Sequence, residues 1–322
     1  MDILISEDLD APAIQELSKK FQVVRDATLW KDGAALKEKI STAGAILVRN
    51  QTQLSADVLA AAHRLVAIGR VGVGLDNIDV AAATKLGIVV IAPLNANAVS
   101  VAELSLGLML ALARKIPLAD RATKAGAWDR KGCTGRELDG KTLAVCGFGR
   151  IGRLVAARAR AFGMSVRAFD PFVPANTPAL AEADCKLCEQ LEEALVAGDF
   201  VSVHLPLTDQ TRHLFNTRTV AAIKRGAYFI NTSRGGVVDE RVLLLALQSG
   251  HLAGAALDVR EIEPPQTRSA LEDFDQVILT PHIGSFTTEA QTRTFEAVCE
   301  DLHRVLRGQP AENFVNLARP GR

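Results

Sequence analysis

Three polar side chains stand just after apolar, strand-like runs. Arg234 lies in Asn231-Thr-Ser-Arg-Gly-Gly236, Glu263 in Asp258-Val-Arg-Glu-Ile-Glu-Pro-Pro265, and His282 in Thr280-Pro-His-Ile-Gly284. Singly each has an ordinary reading: a surface ion-pair partner, a solvated turn acid, a loop histidine. Together they suit a reaction in which a hydroxyl loses a proton while a hydride leaves its carbon. A histidine titrates near working pH, at a reference value of roughly 6.5, so it can take or give that proton. A carboxylate beside it favours the imidazolium, which is the role open to Glu263. An arginine can hold a carboxylate through two parallel N–H bonds and polarise a carbonyl oxygen, which is the role open to Arg234.

A second group of residues is suited to a dinucleotide. The apolar run Leu143–Cys146 leads into Gly147-Phe-Gly149-Arg150-Ile151-Gly152, and a helical pattern with Ile151, Leu154 and Val155 on one face follows. GxGxxG alone is a weak signal. Between a strand and a helix it gives a tight turn, close backbone approach to a pyrophosphate, and close helix–strand packing. The helix N-terminus adds free N–H groups and a positive dipole end. Asp170 follows Gly152 by 18 residues, at the end of the next strand-like run. An acid there can accept from ribose hydroxyls and repels a 2′-phosphate, which favours NAD over NADP.

The elements that must position these groups read as alternating β and α segments. Apolar runs at Ile3–Ile5, Phe21–Val24, Gly44–Arg49, Leu65–Gly69 and Val89–Ile91 form one series. A second begins near Lys141 and continues at Ser165–Phe169, Phe200–His204, Tyr228–Ile230, Gly254–Leu257 and Gln276–Leu279. Such alternation predicts parallel sheets with right-handed crossovers. The spacing predicts one long helix over Ser100–Ile116, capped by Ser100 with Glu103, and a polar connection over Asp120–Gly140. At roughly 150 residues per domain, 322 residues fit two domains. Lys plus Arg and Asp plus Glu are 37 each, a balance unlike that of a nucleic-acid binder. The start MDILISEDLD has no basic, apolar leader, and no run reaches the ~20 apolar residues of a membrane span. Five cysteines, an odd number, point to a reducing cytoplasm, and Cys185-Lys-Leu-Cys188 reads as two structural thiols. No metal site is expected.

Taken together, GFGRIG, the Asp170 strand end, NTSRGG, LDV with EPP, and TPHIG resemble the NAD-specific branch of the D-2-hydroxyacid dehydrogenase family, in the family's order and over nearly the whole chain. The resemblance implies an α/β fold of two doubly wound, Rossmann-like domains with a cleft between them. It implies a discontinuous substrate-binding domain at 1–97 and 287–322 and an NAD-binding domain at 98–286. Arg234, Glu263 and His282 fall on the family's catalytic triad. The cofactor-binding set expected on this basis is Gly147, Gly149, Arg150, Ile151, Gly152, Asp170, His204, Pro206, Thr211, Thr232, Ser233, Asp258 and Gly284. Asn313-Phe-Val-Asn316 resembles the family's short tail.

For substrate, the resemblance points to Arg49 and Asn50 in a first loop, Arg70, Val73 and Gly74 in a second, Asn97 in a third, and Arg130. Arg49, Arg70 and Arg130 resemble the basic positions of the phosphoglycerate-oxidising branch, and three arginines suit a second anion. The loop Pro93–Asn97 is one residue longer than is usual. Arg260 and Ile262 stand where that branch often has Phe and an acid. The sequence ends at Arg322, which implies a short form without a regulatory domain. The expected activity is hydride transfer between NAD and a 2-hydroxy acid, with a small anionic substrate and a homodimer, and with no nucleic-acid or membrane partner. A hydroxypyruvate, glyoxylate or sulfolactate-type enzyme is an alternative, and an NAD(H)-sensing corepressor-like binding protein is one of another class.

Overall fold

The short aliphatic runs form twelve strands, paired in parallel throughout, among the residues 1–321 that the computed structural model describes. The chain divides into two units: residues 1–97 with the segment from Ser285 onward, and Ala98–Gly284.

The first unit holds β1 (Ile3–Ile5), β2 (Val23–Arg25), β3 (Ala45–Val48), β4 (Ala67–Arg70) and β5 (Val89–Ile91), in the order β2-β1-β3-β4-β5. Every residue of β1, β3, β4 and β5 is buried, as a parallel sheet covered on both faces requires. The helix Thr288–Leu306 covers one face, burying Phe295, Val298, Leu302 and Val305 against the sheet residues Leu47, Ala67 and Val89. The tail then pairs with β5: the Val315 N–H donates to Val90 O at 2.8 Å and the Ala92 N–H to Asn313 O at 2.9 Å.

The second unit holds β6 (Thr142–Cys146), β7 (Ser165–Phe169), β8 (Cys185–Leu187), β9 (Phe200–Val203), β10 (Ala227–Asn231), β11 (Leu252–Leu257) and β12 (Val277–Leu279). Their order is β12-β11-β10-β9-β6-β7-β8. The order reverses between β6 and β9. In open α/β sheets such a reversal leaves a crevice at the carboxyl ends of the strands, where ligands bind.

The long helix differs from its expectation. It spans Ala98–Ala113, so Ser100 lies buried in its first turn rather than at its cap. Lys115 then adopts a left-handed conformation with φ 52°, and a separate helix Ile116–Lys124 begins with Pro117 in its first turn. A left-handed residue ends a helix, and proline is tolerated where the first-turn N–H groups lack partners anyway. The second helix occupies the start of the stretch read as a polar connection. The CxxC segment also carries a strand, β8, that the periodicity did not reveal. All five thiols are free, and burial pushes the Cys185 thiol up to about 12, so it stays protonated at neutral pH.

Candidate active site

The glycine-rich turn joins β6 to the helix Arg150–Ala161. Gly147 takes φ 95°, and a Cβ there would lie 2.6 Å from the carbonyl oxygen of His204, so β9 leaves no room for a side chain. Gly149 differs: a Cβ on it would meet nothing within 4 Å, so open space faces the start of the helix. Among the described residues no side chain caps that helix, and its first N–H groups have no intrahelical partner. Arg150 is exposed, Ile151 half-buried and Gly152 buried in the first turn. Asp170 closes the turn from β7, accepting from Phe148 N–H and Phe172 N–H at 2.9 Å each.

His204 follows β9 and contacts this turn. Its Nε2 lies 2.9 Å from Ser202 Oγ, and its buried Nδ1 has no partner among the described residues. Burial pushes its pKa down to about 3, so the ring is neutral. Thr211 closes the loop after it, donating to Pro206 O at 2.6 Å and accepting from Thr208 N–H at 2.8 Å. The open space at Gly149, the uncapped helix start and the unpartnered ring nitrogen fit a dinucleotide's phosphates and polar groups.

Arg234, Glu263 and His282 follow β10, β11 and β12, three neighbouring strands of one sheet edge. Asn231, 1% exposed, shapes the first of these turns. Its Nδ2 donates to Arg234 O at 2.9 Å, and its Oδ1 accepts from Ser233 N–H and Oγ–H. Thr232 Oγ1 lies 2.8 Å from Ser105 Oγ. Arg234 Nη1 donates to Ser233 O at 2.7 Å.

The acid and the imidazole meet directly, with His282 Nδ1 2.6 Å from Glu263 Oε2. Glu263 Oε1 accepts from Arg260 N–H at 2.9 Å. Burial alone would raise the Glu263 pKa. The bond and charge of His282, the Arg260 N–H and the nearby Arg234 outweigh it and hold the carboxyl below its ordinary value. His282 is backbone-strained at φ 55°. For a residue with a side chain this conformation costs roughly 1–2 kcal/mol. Asp258 supplies the opposing constraint. Its carbonyl accepts from His282 N–H at 2.8 Å, and its carboxylate accepts from Thr280 Oγ1 at 2.5 Å, Ile283 N–H at 2.9 Å and Gly284 N–H at 2.8 Å. The side chain read as a cofactor contact is thus 1% exposed and bonded to the His282 loop.

In the first unit, Arg49 follows β3 and Arg70 ends the adjacent β4. Arg49 donates to Gln291 Oε1, and its guanidinium lies 4.8 Å from the Phe286 ring centroid. Burial lowers its pKa, opposed by the charge of Glu7. Glu7, 4% exposed, cradles the loop, accepting from Arg49 N–H at 2.9 Å, Thr52 N–H at 3.0 Å and Gln51 N–H at 3.2 Å. Asn77 braces the same loop from the other side, donating to Arg49 O and Thr52 O. Asn50 is exposed at the loop tip. Arg70 is 9% exposed and donates to Val71 O, with Val73 and Gly74 half-buried after it. Asn97 carries a buried Oδ1 without a hydrogen-bond partner among the described residues. Arg130 is exposed and belongs to the second unit. The sequence reading missed Glu7, Asn77 and Asn231, whose partners are fixed only by folding.

Comparison with known proteins gives the family and the fold. Residues 106–284 match the family described as D-isomer specific 2-hydroxyacid dehydrogenase, NAD binding domain. The chain is 45% identical over 316 residues to a D-3-phosphoglycerate dehydrogenase of Methanocaldococcus jannaschii, covering 98% of this chain and 59% of that protein. It is 43% identical to that of Rattus norvegicus, covering 58% of it. The chain therefore spans a little under three fifths of these relatives. Among solved structures, the TT0316 protein of Thermus thermophilus is 34% identical with a TM-score of 0.90, over 98% of this chain and 100% of that one. D-Lactate dehydrogenase of Aquifex aeolicus, solved with NAD and lactic acid, is 32% identical with a TM-score of 0.87, over 98% of this chain and 99% of that one. With its glycine turn, its two parallel sheets and its arginine, glutamate and histidine on one sheet edge, the chain belongs to the D-isomer-specific 2-hydroxyacid dehydrogenases and carries their NAD-binding domain.

Proposed function

We propose that the protein is an NAD-dependent dehydrogenase of D-2-hydroxy acids, acting on a substrate with a second anionic group such as 3-phosphoglycerate. The 2.6 Å pair of His282 Nδ1 with Glu263 Oε2, on the sheet edge that also carries Arg234, is the observation that carries this reading. Because Glu263 occupies Nδ1, Nε2 is the ring nitrogen left for the substrate oxygen. His282 takes the hydroxyl proton in oxidation and returns it in reduction, and Glu263 stabilises the imidazolium in between. Arg234 holds the substrate carboxylate and polarises the C2 oxygen. NAD bound at the glycine turn accepts or supplies the hydride at C2. Asp170 accepts from the ribose hydroxyls. The second unit is the NAD-binding domain and the first the substrate-binding domain, with Arg49 and Arg70 for the second anion. The phosphoglycerate-oxidising relatives and the partly buried Arg49 guanidinium support that substrate class.

The test is NADH oxidation across 3-phosphohydroxypyruvate, hydroxypyruvate, glyoxylate, sulfopyruvate and 2-oxoglutarate, repeated with NADPH. The phosphorylated acid is expected to have the largest kcat/KM by about tenfold or more, the gain of roughly one charge-assisted anion contact. NADPH is expected to be much poorer, because Asp170 repels its 2′-phosphate. A small neutral-tailed acid winning would remove Arg49 and Arg70 from substrate recognition. No turnover with any acid, alongside tight NADH binding, would favour a dinucleotide sensor.

The same reading has the protein as a homodimer in the reducing cytoplasm. The helix Ile116–Lys124 buries none of its residues, Ile116 is 52% exposed and Trp128 is 81% exposed, which supports a partner surface on the second unit. Light scattering is expected to give twice the 34.4 kDa chain mass, and a single-chain mass would exclude the dimer.

A further inference from the structure

The loop that carries Glu263 has almost no apolar anchorage: residues 261–268 are all exposed. Its conformation must come from polar ties: Glu261 Oε1 lies 2.7 Å from His213 Nε2, Arg268 donates to Asp273, and the Arg260 side chain makes four more. Arg260 donates from Nε and Nη2 to the two oxygens of Glu240, each at 3.0 Å. It also donates from Nη1 to Glu272 Oε1 and from Nη2 to Ser269 Oγ, again at 3.0 Å. Its side chain is 11% exposed, and those of Glu240 and Glu272 are 18% and 25% exposed. A paired guanidinium this shielded is firmly held, and its planar fork suits the two-oxygen contact.

These ties join three segments. Glu240 opens the helix Glu240–Gln248, which follows the Arg234 turn, and Glu272 lies in the short helix Ala270–Asp273. Glu240 Oε1 also accepts from Glu261 N–H at 2.7 Å. The Arg260 backbone meets the candidate catalytic groups on both sides. Its N–H donates to Glu263 Oε1 at 2.9 Å. Its carbonyl oxygen lies 1.8 Å from where a Cβ on Gly235 would stand, so the loop rests directly on the residue after Arg234.

We propose that Arg260 is a positioning residue: by clamping the Glu263 loop to Glu240 and Glu272, it sets where the Glu263 carboxylate meets His282 and how the loop abuts the Arg234 turn. The proposal deepens the dehydrogenase reading and rests on it. In this role Arg260 acts through Glu263, which its own N–H meets. Misplacing a catalytic group by about 1 Å costs up to ~10²-fold in rate, and here one residue governs the group that orients the imidazole.

The test compares Arg260→Met, Arg260→Lys and Glu240→Gln with the unaltered protein. In Arg260→Met, kcat for the best keto acid is expected to fall about tenfold, with KM within about twofold and NADH affinity by fluorescence unchanged, because the lost alignment matters in the transition state. Arg260→Lys is expected to recover part of kcat, since an ammonium reaches one carboxylate but not both oxygens of Glu240 together. Amide exchange should rise in residues 259–268 of Arg260→Met and stay as before in β6 and β7. If Arg260→Met does not fold, Glu240→Gln decides the matter, with a fall of about threefold in kcat expected from losing the charge at the clamp. An unchanged kcat, or a joint loss of kcat, NADH affinity and melting temperature that lysine does not rescue, overturns the positioning role. If the unaltered protein turns over no keto acid, the dehydrogenase reading fails instead. The exchange data then judge the clamp alone: unchanged exchange overturns it, and raised exchange confined to 259–268 upholds it.

Discussion

Replacement of His282 by Ala is expected to lower keto-acid reduction by at least ~10²-fold while NADH binding stays unchanged. The size follows from the loss of the group that hands a proton to the forming alkoxide. NADH binding survives because the dinucleotide turn is held by contacts that do not involve His282, chiefly Gly147 against His204 O and Asp170 on the Phe148 N–H. Glu263 keeps its Arg260 N–H bond, so the loop retains its anchor. Alanine carries a separate cost, since position 282 has φ 55° and alanine is poorly suited to the left-handed region. His282→Asn is the cleaner companion, because asparagine tolerates that conformation and has no group that titrates at neutral pH. Both variants should lose turnover alike. In the unaltered enzyme, reduction should fall and oxidation rise as pH increases, because reduction needs the imidazolium and oxidation the free base. Normal turnover in His282→Asn, or parallel pH profiles in the two directions, would take the proton step away from His282.

The sequence made the β/α alternation readable because strands such as β1, β3, β5 and β9 are buried on both faces and so appear as short, mostly aliphatic runs. The glycine turn was readable because its constraint is local: Gly147 must fit between β6 and the end of β9. Arg234, Glu263 and His282 stood out by their places after β10, β11 and β12, since a parallel sheet gathers its carboxyl ends along one edge. What stayed hidden depends on partners distant in sequence. Glu7 braces Arg49 across 42 residues, and Asn77 braces it across 28. Neither lies in a motif. Asp258 was legible as an acid at a strand end, but the sequence does not show that three donors from 280–284 fill its carboxylate. The break between the helices Ala98–Ala113 and Ile116–Lys124 was hidden because Lys115, without glycine's freedom, adopts the left-handed geometry there. The helical pattern ran on to Ile116, and Pro117 just after it reads equally as a helix stop or as a first-turn residue.

Arg234→Lys tests the other half of the chemistry and is expected to lower kcat/KM by about 10²-fold or more for every 2-keto acid that the enzyme accepts. Lysine keeps the charge and most of the length, so a simple electrostatic role would tolerate it. The proposed role would not, because a carboxylate held by two parallel N–H bonds and a carbonyl oxygen polarised by the same group need a planar fork. The turn around Arg234 is held by more than the Nη1 bond of its own side chain to Ser233 O. Asn231 holds the turn through Arg234 O, and Gly235 packs under the carbonyl of Arg260. The substitution should therefore leave the melting temperature nearly unchanged. The decisive comparison is a neutral 2-keto amide in place of the acid. With the amide, the unaltered enzyme loses the carboxylate contact too, so the two proteins should converge to within about tenfold, the worth of roughly one charge-assisted bond. An equal penalty for acid and amide would mean that Arg234 acts on something other than the carboxylate. Unchanged kinetics with every acid would remove it from the site.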